Sequence, residues 1–290
     1  MVKVEVRSTC FCGSGKSYAE CHGRYDAAAK AAMSRGRCAP PRKLIKTKEQ
    51  IEGMKRSAEI NIAVLDTVEE KICEGMSTWE IDRIVYEKTK AMGGIPATLN
   101  YEGYPKSVCV SINDEVCHGI PSRKRLLKSG DIVNVDASTI RDGYFSDSSR
   151  MFCIGDVSPE DRKLVEVTRE AMYKGLEKVK PVGFLGDVGA AVNEHAKKHG
   201  YSVVRSIGGH GIGLEFHEQP WVSFVSRAGT GMLLVPGLCF TIEPMINMGK
   251  SGIYTDKSNG WTVYTNDHLP SAQWEIMVAV TDEGYEVLSY

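Results

Sequence analysis

Four acidic residues stand inside tracts that otherwise read as buried strands. Asp136 closes the alternating run Ile132-Val-Asn-Val-Asp136, and Asp147 lies in Tyr144-Phe-Ser-Asp147. Glu243 ends the apolar stretch Leu238-Cys-Phe-Thr-Ile-Glu243, and Glu275 is enclosed in Trp274-Glu-Ile-Met-Val-Ala-Val280. A carboxylate in such a setting is costly unless it is paired or bound to a metal. Taken singly, either glutamate reads as half of a buried ion pair, and the aspartates read as unrelated residues near a turn. Taken together, the four shift the balance toward folds in which distant strands share an internal ion.

The aspartate pair carries a geometric constraint. Ile140-Arg-Asp-Gly143 between them is a hairpin turn signal. In an antiparallel hairpin with an even-length loop, paired residue numbers sum to an odd constant. Residues 136 and 147 therefore project from the same face, opposite each other or one diagonal step apart. Two like charges held that closely raise each other's pKa unless a cation lies between them.

His210, in Gly208-Gly-His-Gly-Ile-Gly213, adds a neutral nitrogen donor. The four carboxylates bring four negative charges, which two divalent cations cancel. An oxygen-rich set with one imidazole suits Mn, Fe, Co or Zn and excludes a thiolate site. Paired cations can acidify water and polarise a carbonyl.

The remainder of the chain fits a soluble enzyme. Apolar residues make up 42% and charged residues 25% of 290 residues, enough for a large core without disulfide staples. Met1–Thr9 shows no long apolar run, and no stretch of about 18 apolar residues occurs elsewhere, so a cytoplasmic location with no membrane contact is expected. Thr47/Gln50 and Ser77/Glu80 are capping-box pairs that open two helices, the first ending at Gly75 and the second at Gly93-Gly94. Strands are expected at Ser107–Ile112, Asp131–Ser138 and Tyr144–Ile154. Ser158-Pro159 opens a third long helix. Asp187 caps a fourth, ending at Gly200. Strands follow at Tyr201–Ile207, Leu238–Ile242 and Trp274–Val280. The order helix, helix, strands thus occurs twice, which points to a pseudo-twofold with a site between the halves.

Six short blocks carry a resemblance. Val116-Cys-His-Gly-Ile-Pro121, Asp131-Ile-Val-Asn-Val-Asp136, Ser146-Asp-Ser-Ser149, Gly208-Gly-His-Gly-Ile-Gly213, Phe240-Thr-Ile-Glu-Pro244 and Ser271-Ala-Gln-Trp-Glu275 resemble, in order, the type I methionine aminopeptidases. The resemblance spans about residues 44–290 and implies the α/β pita-bread fold. It further implies removal of N-terminal methionine from nascent proteins and peptides, with a small second residue preferred. By resemblance, Asp136 chelates one metal, Asp147 and Glu275 bridge two, and His210 ligates the second with Glu243. Glu243 also serves as proton shuttle. His118 and His217 bind substrate and stabilise the tetrahedral intermediate. Tyr101, Tyr104, Cys109, Phe216 and Trp261 line a methionine pocket, where aromatic rings and sulfur suit a thioether. Asn113 and Ser271 stand beside a possible monovalent cation. Two positions depart from the family pattern: Thr98 stands where a cysteine is frequent, and Ile276 where a histidine is common.

The first residues form a separate unit. Cys10-Phe-Cys12-Gly-Ser-Gly-Lys-Ser-Tyr-Ala-Glu-Cys21-His22 supplies three thiolates and an imidazole, the donor set of a closed structural zinc site. It resembles the SEC-C motif, which implies docking to a protein or to the ribosome. Residues 1–46 hold ten Lys/Arg and three Asp/Glu, a net +7, so the overall −1 leaves −8 for the rest. A basic arm on an acidic enzyme suits an anionic partner; a solvated, partly disordered tail is the alternative. The expected division is a zinc module at 1–35, a Pro/basic linker at 36–46 and a catalytic domain at 47–290.

Two decoys fall away. Gly15-Lys16-Ser17 lacks the leading glycine of a P-loop, because position 10 is cysteine. His195 and His199, four apart, lack the glutamate of a metalloprotease helix and read as exposed surface residues. Two rivals remain: a prolidase or aminopeptidase P relative, and an inactive binding protein of the same fold.

Overall fold

The computed structural model of this chain describes residues 8–290. The leader-free reading of Met1–Thr9, and three of the charges counted in the basic arm, fall mostly outside the described residues. Five α-helices are present among the described residues: α1 (Asp26–Ser34), α2 (Lys48–Lys71), α3 (Thr78–Ala91), α4 (Pro159–Leu176) and α5 (Leu185–Lys198). None is long and apolar enough to cross a membrane.

Both predicted capping boxes are formed. The Gln50 amide N–H donates to Thr47 Oγ1 at 3.2 Å, and the Thr47 N–H donates to Gln50 Oε1 at 2.8 Å. Ser77 and Glu80 exchange the same pair of bonds at the start of α3. Each cap contributes about 1 kcal/mol. Helix α2 ends at Lys71 rather than Gly75, because Ile72 is already extended; Gly75, at φ +84°, shapes the turn that follows. Asp187 is the third residue of α5, not its cap: its Oδ2 accepts from the Phe184 N–H at 2.9 Å, bracing the helix start from inside. Helix α1 is an element that the sequence reading missed.

The repeated order is real. In the first half, α2 and α3 lie on a sheet containing Cys109–Ile112 and the hairpin Ile132–Arg141/Tyr144–Cys153. Val64, Leu65, Val68, Ile81 and Val85 bury against Val110, Val133 and Val135. In the second half, α4 and α5 bury Leu164, Met172, Val188 and Val192 against Phe240 and Val278. The sheet there runs Tyr285–Ser289, Ile276–Val280, Cys239–Ile242, Gly209–Gly211, Glu218–Val222, all antiparallel. Burying each such aliphatic side chain is worth about 1.5–3 kcal/mol.

Three predicted strands are shorter than expected by two residues or more. Ser107–Ile112 is strand only from Cys109. Of Tyr201–Ile207 only Ser202–Val203 is strand, since the chain bends at Arg205-Ser206. The tract Trp274–Val280 is strand only from Ile276, because Glu275 leaves that sheet to bridge Ser149.

A polar seam orients the hairpin. Ser57 and Asn61 of α2, both fully buried, donate to the carbonyls of Thr139 (2.9 Å) and Ala137 (2.7 Å). Ser146 and Ser148 meet these helix residues. Strand alternation then turns Asp147 and Ser149 to the opposite, inner face.

The N-terminal unit is docked, so the solvated-tail alternative fails for the described part. Ala32 and Ala29 of α1 pack with Tyr25 on Leu233 and Val235. The Lys48 N–H donates to the Cys12 carbonyl at 2.8 Å, and Tyr25 Oη donates to Asp282 at 2.9 Å.

Candidate metal centre and active-site cleft

The hairpin register settles the aspartate geometry. Asp136 pairs with Ser149 and Asp147 with Ser138, a constant sum in which the two acids sit one diagonal step apart on the same face. The turn between them is the two residues Asp142-Gly143, both with positive φ, at 52° and 80°. Such a turn demands residues that tolerate the left-handed region, which Asp and Gly do.

The second half brings the other donors to the same place. His210 Nε2 lies 3.6 Å from Asp147 Oδ2 and 3.5 Å from Glu243 Oε1. The His210 Nδ1–H donates to the Gly211 carbonyl at 3.0 Å, which leaves Nε2 bare as a donor to an ion. Asp147, His210 and Glu275 offer ligand atoms within 4.8 Å of one another. Glu275 enters through its own backbone: Ser149 and Glu275 exchange N–H···O=C bonds of 3.3 and 3.2 Å, joining the two halves at the acid cluster.

The electrostatics match an unscreened carboxylate cluster. Burial pushes the Asp136 carboxyl well above its usual range, helped by Asp147 and Glu243. Glu275 is raised in the same way, by burial and then by Asp147, Glu243 and Asp136. Glu243 is pushed up to about 7, chiefly by burial, against the lowering effect of His210 and of the Thr241 hydroxyl. His210 is raised: burial opposes its charged form, but the hydrogen bond to Asp147 and the charges of Glu243 and Asp147 prevail.

The donors fit a divalent pair. Glu275 is 2% exposed, and its Oε1 has no hydrogen-bond partner in the protein. A buried carboxylate oxygen without a partner is expensive, and a cation removes that cost. Oxygen donors with one bare imidazole nitrogen satisfy the preferences of Mn, Fe, Co or Zn.

Comparison with known proteins follows the same line. The model of metallopeptidase family M24 matches residues 52–282, and the SEC-C motif matches residues 8–24. Methionine aminopeptidase A of Synechocystis sp. is 46% identical over 244 residues, 84% of this chain and 96% of that one. The crystal structure of methionine aminopeptidase from Rickettsia prowazekii superposes with a TM-score of 0.83 at 43% identity, covering 85% of this chain and 99% of that one. The chain belongs to metallopeptidase family M24, among its methionine aminopeptidases. Methionine aminopeptidase from Escherichia coli K12 is likewise 46% identical over 246 residues, 84% of this chain and 93% of that one. The fold is therefore the pita-bread arrangement, and the chain is a metallo-exopeptidase.

All the catalytic-domain residues singled out above as ligands, substrate binders or pocket lining border one cleft of about 800 Å³. Tyr101 meets Phe216 edge-on at 4.8 Å, and Tyr104 meets Trp261 at 5.2 Å. Burial pushes the Cys109 thiol far up, so it stays protonated beside the acids. Thr98 borders the cleft with a buried hydroxyl that finds no partner in the protein. His217 Nδ1 and the Tyr101 hydroxyl are 2.9 Å apart. His118 holds a left-handed φ of 57°, and Gly119 behind it passes so close to the Val110 carbonyl that a Cβ would lie 2.1 Å from it. That contact fixes the turn presenting His118. Burial lowers the pKa of His118, and burial followed by the neighbouring His210 lowers that of His217. Asn113 and Ser271 meet through a Ser271 N–H···O=C Asn113 bond of 2.9 Å.

Several members of the site were missed. Thr241 Oγ1 donates to Glu243 Oε1 at 2.7 Å, Gln273 Nε2 donates to Glu243 Oε2 at 3.2 Å, and Ser138 Oγ donates to Asp147 Oδ1 at 2.8 Å. Thr241 and Ser138 stand two residues from Glu243 and Asp136 along their strands, a period-two signal that was available. Lys46 was read as a linker charge. It is 2% exposed, and its Nζ lies 2.5 Å from Glu218 Oε2. Glu218 Oε1 in turn accepts from the amides of Leu214 and Glu215 at 2.8 and 3.0 Å, pinning the loop that carries Phe216 and His217. Lys43 and Leu44 also line the cleft.

The thiol module is assembled separately. Cys10, Cys12, Cys21 and His22 are all buried, with ligand atoms within 4.8 Å. Cys10 Sγ lies 3.2 Å from His22 Nδ1, and Cys12 Sγ lies 3.5 Å from Cys21 Sγ. The His22 Nε2–H donates to the Pro236 carbonyl at 2.9 Å, so Nδ1 is free to ligate. None of the nine cysteines forms a disulfide. Gly15-Lys16-Ser17 is part of this knuckle: the Cys10 N–H donates to the Lys16 carbonyl at 2.8 Å.

Proposed function

We propose that Asp136, Asp147, His210, Glu243 and Glu275 hold two divalent cations with which the chain removes N-terminal methionine from peptides and nascent proteins. The observation that carries this reading is the buried Glu275 carboxylate, which has an oxygen without a partner in the protein and offers a ligand atom within 4.8 Å of those of Asp147 and His210. When bound, the cations supply Lewis-acid polarisation of the scissile carbonyl and acidify water near neutral pH.

The chain's own groups supply the rest. Glu243, held by Thr241 and Gln273, takes a proton from the attacking water and passes it to the leaving amine. Tyr101 donates to His217 Nδ1, so His217 Nε2–H points a donor at the substrate. His118 and His217 stay neutral and stabilise the developing oxyanion as donors. Tyr104, Cys109, Phe216 and Trp261 enclose the methionine thioether. The neutral Cys109 thiol keeps charge out of that pocket.

The wider assignments belong to the same proposal. Residues 1–35 form a zinc module held by Cys10, Cys12, Cys21 and His22, 36–46 a linker and 47–290 the catalytic domain. Asn113 and Ser271 flank a monovalent cation. The enzyme works in the cytoplasm, and the basic module docks it on the ribosome.

Hydrolysis assays on Met-Ala-Ser and Ala-Pro-Gly with added Mn²⁺ or Co²⁺ test the activity. Methionine release alone is expected. Cleavage beside proline alone favours a prolidase, and no cleavage with metal bound favours a binding protein.

A further inference from the structure

Helices α4 and α5 carry a third cluster of metal donors, on the outside of the second half. His195 and His199 lie one turn apart on the last turn of α5, His199 being its C-cap, and their ring centroids are 4.8 Å apart. Helix α4 adds a partner that no sequence spacing announces. Glu170 Oε2 lies 2.9 Å from His195 Nε2. The three side chains offer ligand atoms within 4.8 Å of one another, and both histidines are half-buried rather than exposed as their positions suggested.

We infer that Glu170, His195 and His199 form a third divalent-metal site, of the two-imidazole, one-carboxylate class, that clamps α4 to α5. The chemistry is specific. Two imidazoles and a carboxylate make a three-ligand set that leaves zinc a fourth position for water. Imidazole-rich donors select Cu²⁺, Ni²⁺ and Zn²⁺ over Mg²⁺ or Ca²⁺. Zinc bonds of about 2.0–2.1 Å hold tetrahedral ligand atoms about 3.3 Å apart. The 2.9 Å His195–Glu170 separation is already near that spacing, and His199 offers a ring nitrogen within 4.8 Å of both.

The surroundings leave the position open to a cation. Arg169, the charge next to Glu170, is turned aside: its guanidinium stacks over the Trp274 ring at 5.0 Å and the Tyr173 ring at 5.9 Å. Glu166 stands one turn before Glu170 on α4 and adds negative charge along that helix. None of the three donors borders the catalytic cleft. The ion here therefore takes no part in peptide cleavage. It links two helices and stabilises the native state by mass action. Bulk zinc or nickel analysis of the chain would then count an ion that the reaction does not use.

The test is calorimetric titration of the Mn²⁺-loaded full chain with Ni²⁺, set beside the double variant His195→Asn/His199→Asn. The wild type should take up one equivalent more than the variant. It should also show a Ni²⁺-dependent rise in Tm that the variant lacks, with Mn²⁺-supported methionine release equal in both. Glu170→Gln, at an exposed position, is the second variant and should weaken that equivalent at least tenfold. Equal stoichiometry and equal Tm shifts in wild type and the double variant would overturn the inference. If the double variant does not fold, unaltered Ni²⁺ affinity in Glu170→Gln overturns it instead.

Discussion

The thiol module and the carboxylate cleft both gather metal donors, but they are built in opposite ways. The four donors of the module come from Cys10 to His22, a contiguous stretch closed by local turns. The cleft draws on residues from 136 to 275, placed by two sheets whose cores are complete without them. So small a unit as the module would depend on a bound ion for its fold. The cleft borrows its rigidity from the fold and spends it on holding acids together. Ion loss should therefore unfold the first and merely silence the second.

The largest effect expected from that contrast is in the cleft. Glu243→Gln should lower kcat by about 10³-fold, the scale of a lost proton-transfer group, while circular dichroism and Tm stay close to wild type. A rate within tenfold of wild type would remove Glu243 from the mechanism. Asp136→Asn should act likewise through metal affinity.

Lys46 tests whether the two regions are truly separate. It lies between module and cleft, and it neutralises Glu218 where burial leaves no solvent to do so. Lys46→Met leaves that carboxylate buried and unpaired, at a cost of about 3 kcal/mol. Tm should fall by several degrees, and KM for Met-Ala-Ser should rise more than kcat falls, because the loop bearing Phe216 and His217 is loosened. Lys46→Arg should restore most of both. Unchanged KM would show that the loop keeps its place without Lys46.

Protonation sharpens the contrast further. In metal-depleted protein the Glu243 carboxyl is raised from about 4.5 to about 7, and Asp136 and Glu275 are raised as well. Groups whose folded pKa exceeds the unfolded value contribute stability that is complete below about pH 4 and lost as pH rises through about 7. Metal-depleted protein should thus have a lower Tm at pH 7.5 than at pH 5.5, and added Mn²⁺ should close the gap. A flat profile would mean that burial and the neighbouring acids do not raise these carboxyls.

The smallest effect on catalysis belongs to the module. Cys12→Ser should expose residues 8–35 to limited proteolysis while methionine release from a tripeptide changes by less than about threefold. Removal of residues 1–35 should leave peptide cleavage similarly intact but reduce co-sedimentation with ribosomes. Equal sedimentation of the two forms would discard ribosome docking.

What the sequence disclosed follows the range of the interactions. The capping boxes and the Asp142-Gly143 turn are decided within four residues, and they were legible. The same face for Asp136 and Asp147 followed from the parity of a hairpin. Glu275's exit from its strand was not legible, because the Ser149 bridge that draws it away lies more than a hundred residues earlier. Lys46 looked like any linker lysine until Glu218 was seen beside it, and His195 like any surface histidine until α4 brought Glu170. Partners supplied by another element leave no local spacing to read. Helix α1 was missed for a different reason: it is short, and its apolar face is mostly alanine.

The most direct measurement is an anomalous difference map from crystals of the Mn²⁺-loaded chain. Two peaks should stand among Asp136, Asp147, His210, Glu243 and Glu275, with Asp147 and Glu275 touching both. A map with no peak there, or with those carboxylates bound to protein groups alone, would contradict the account.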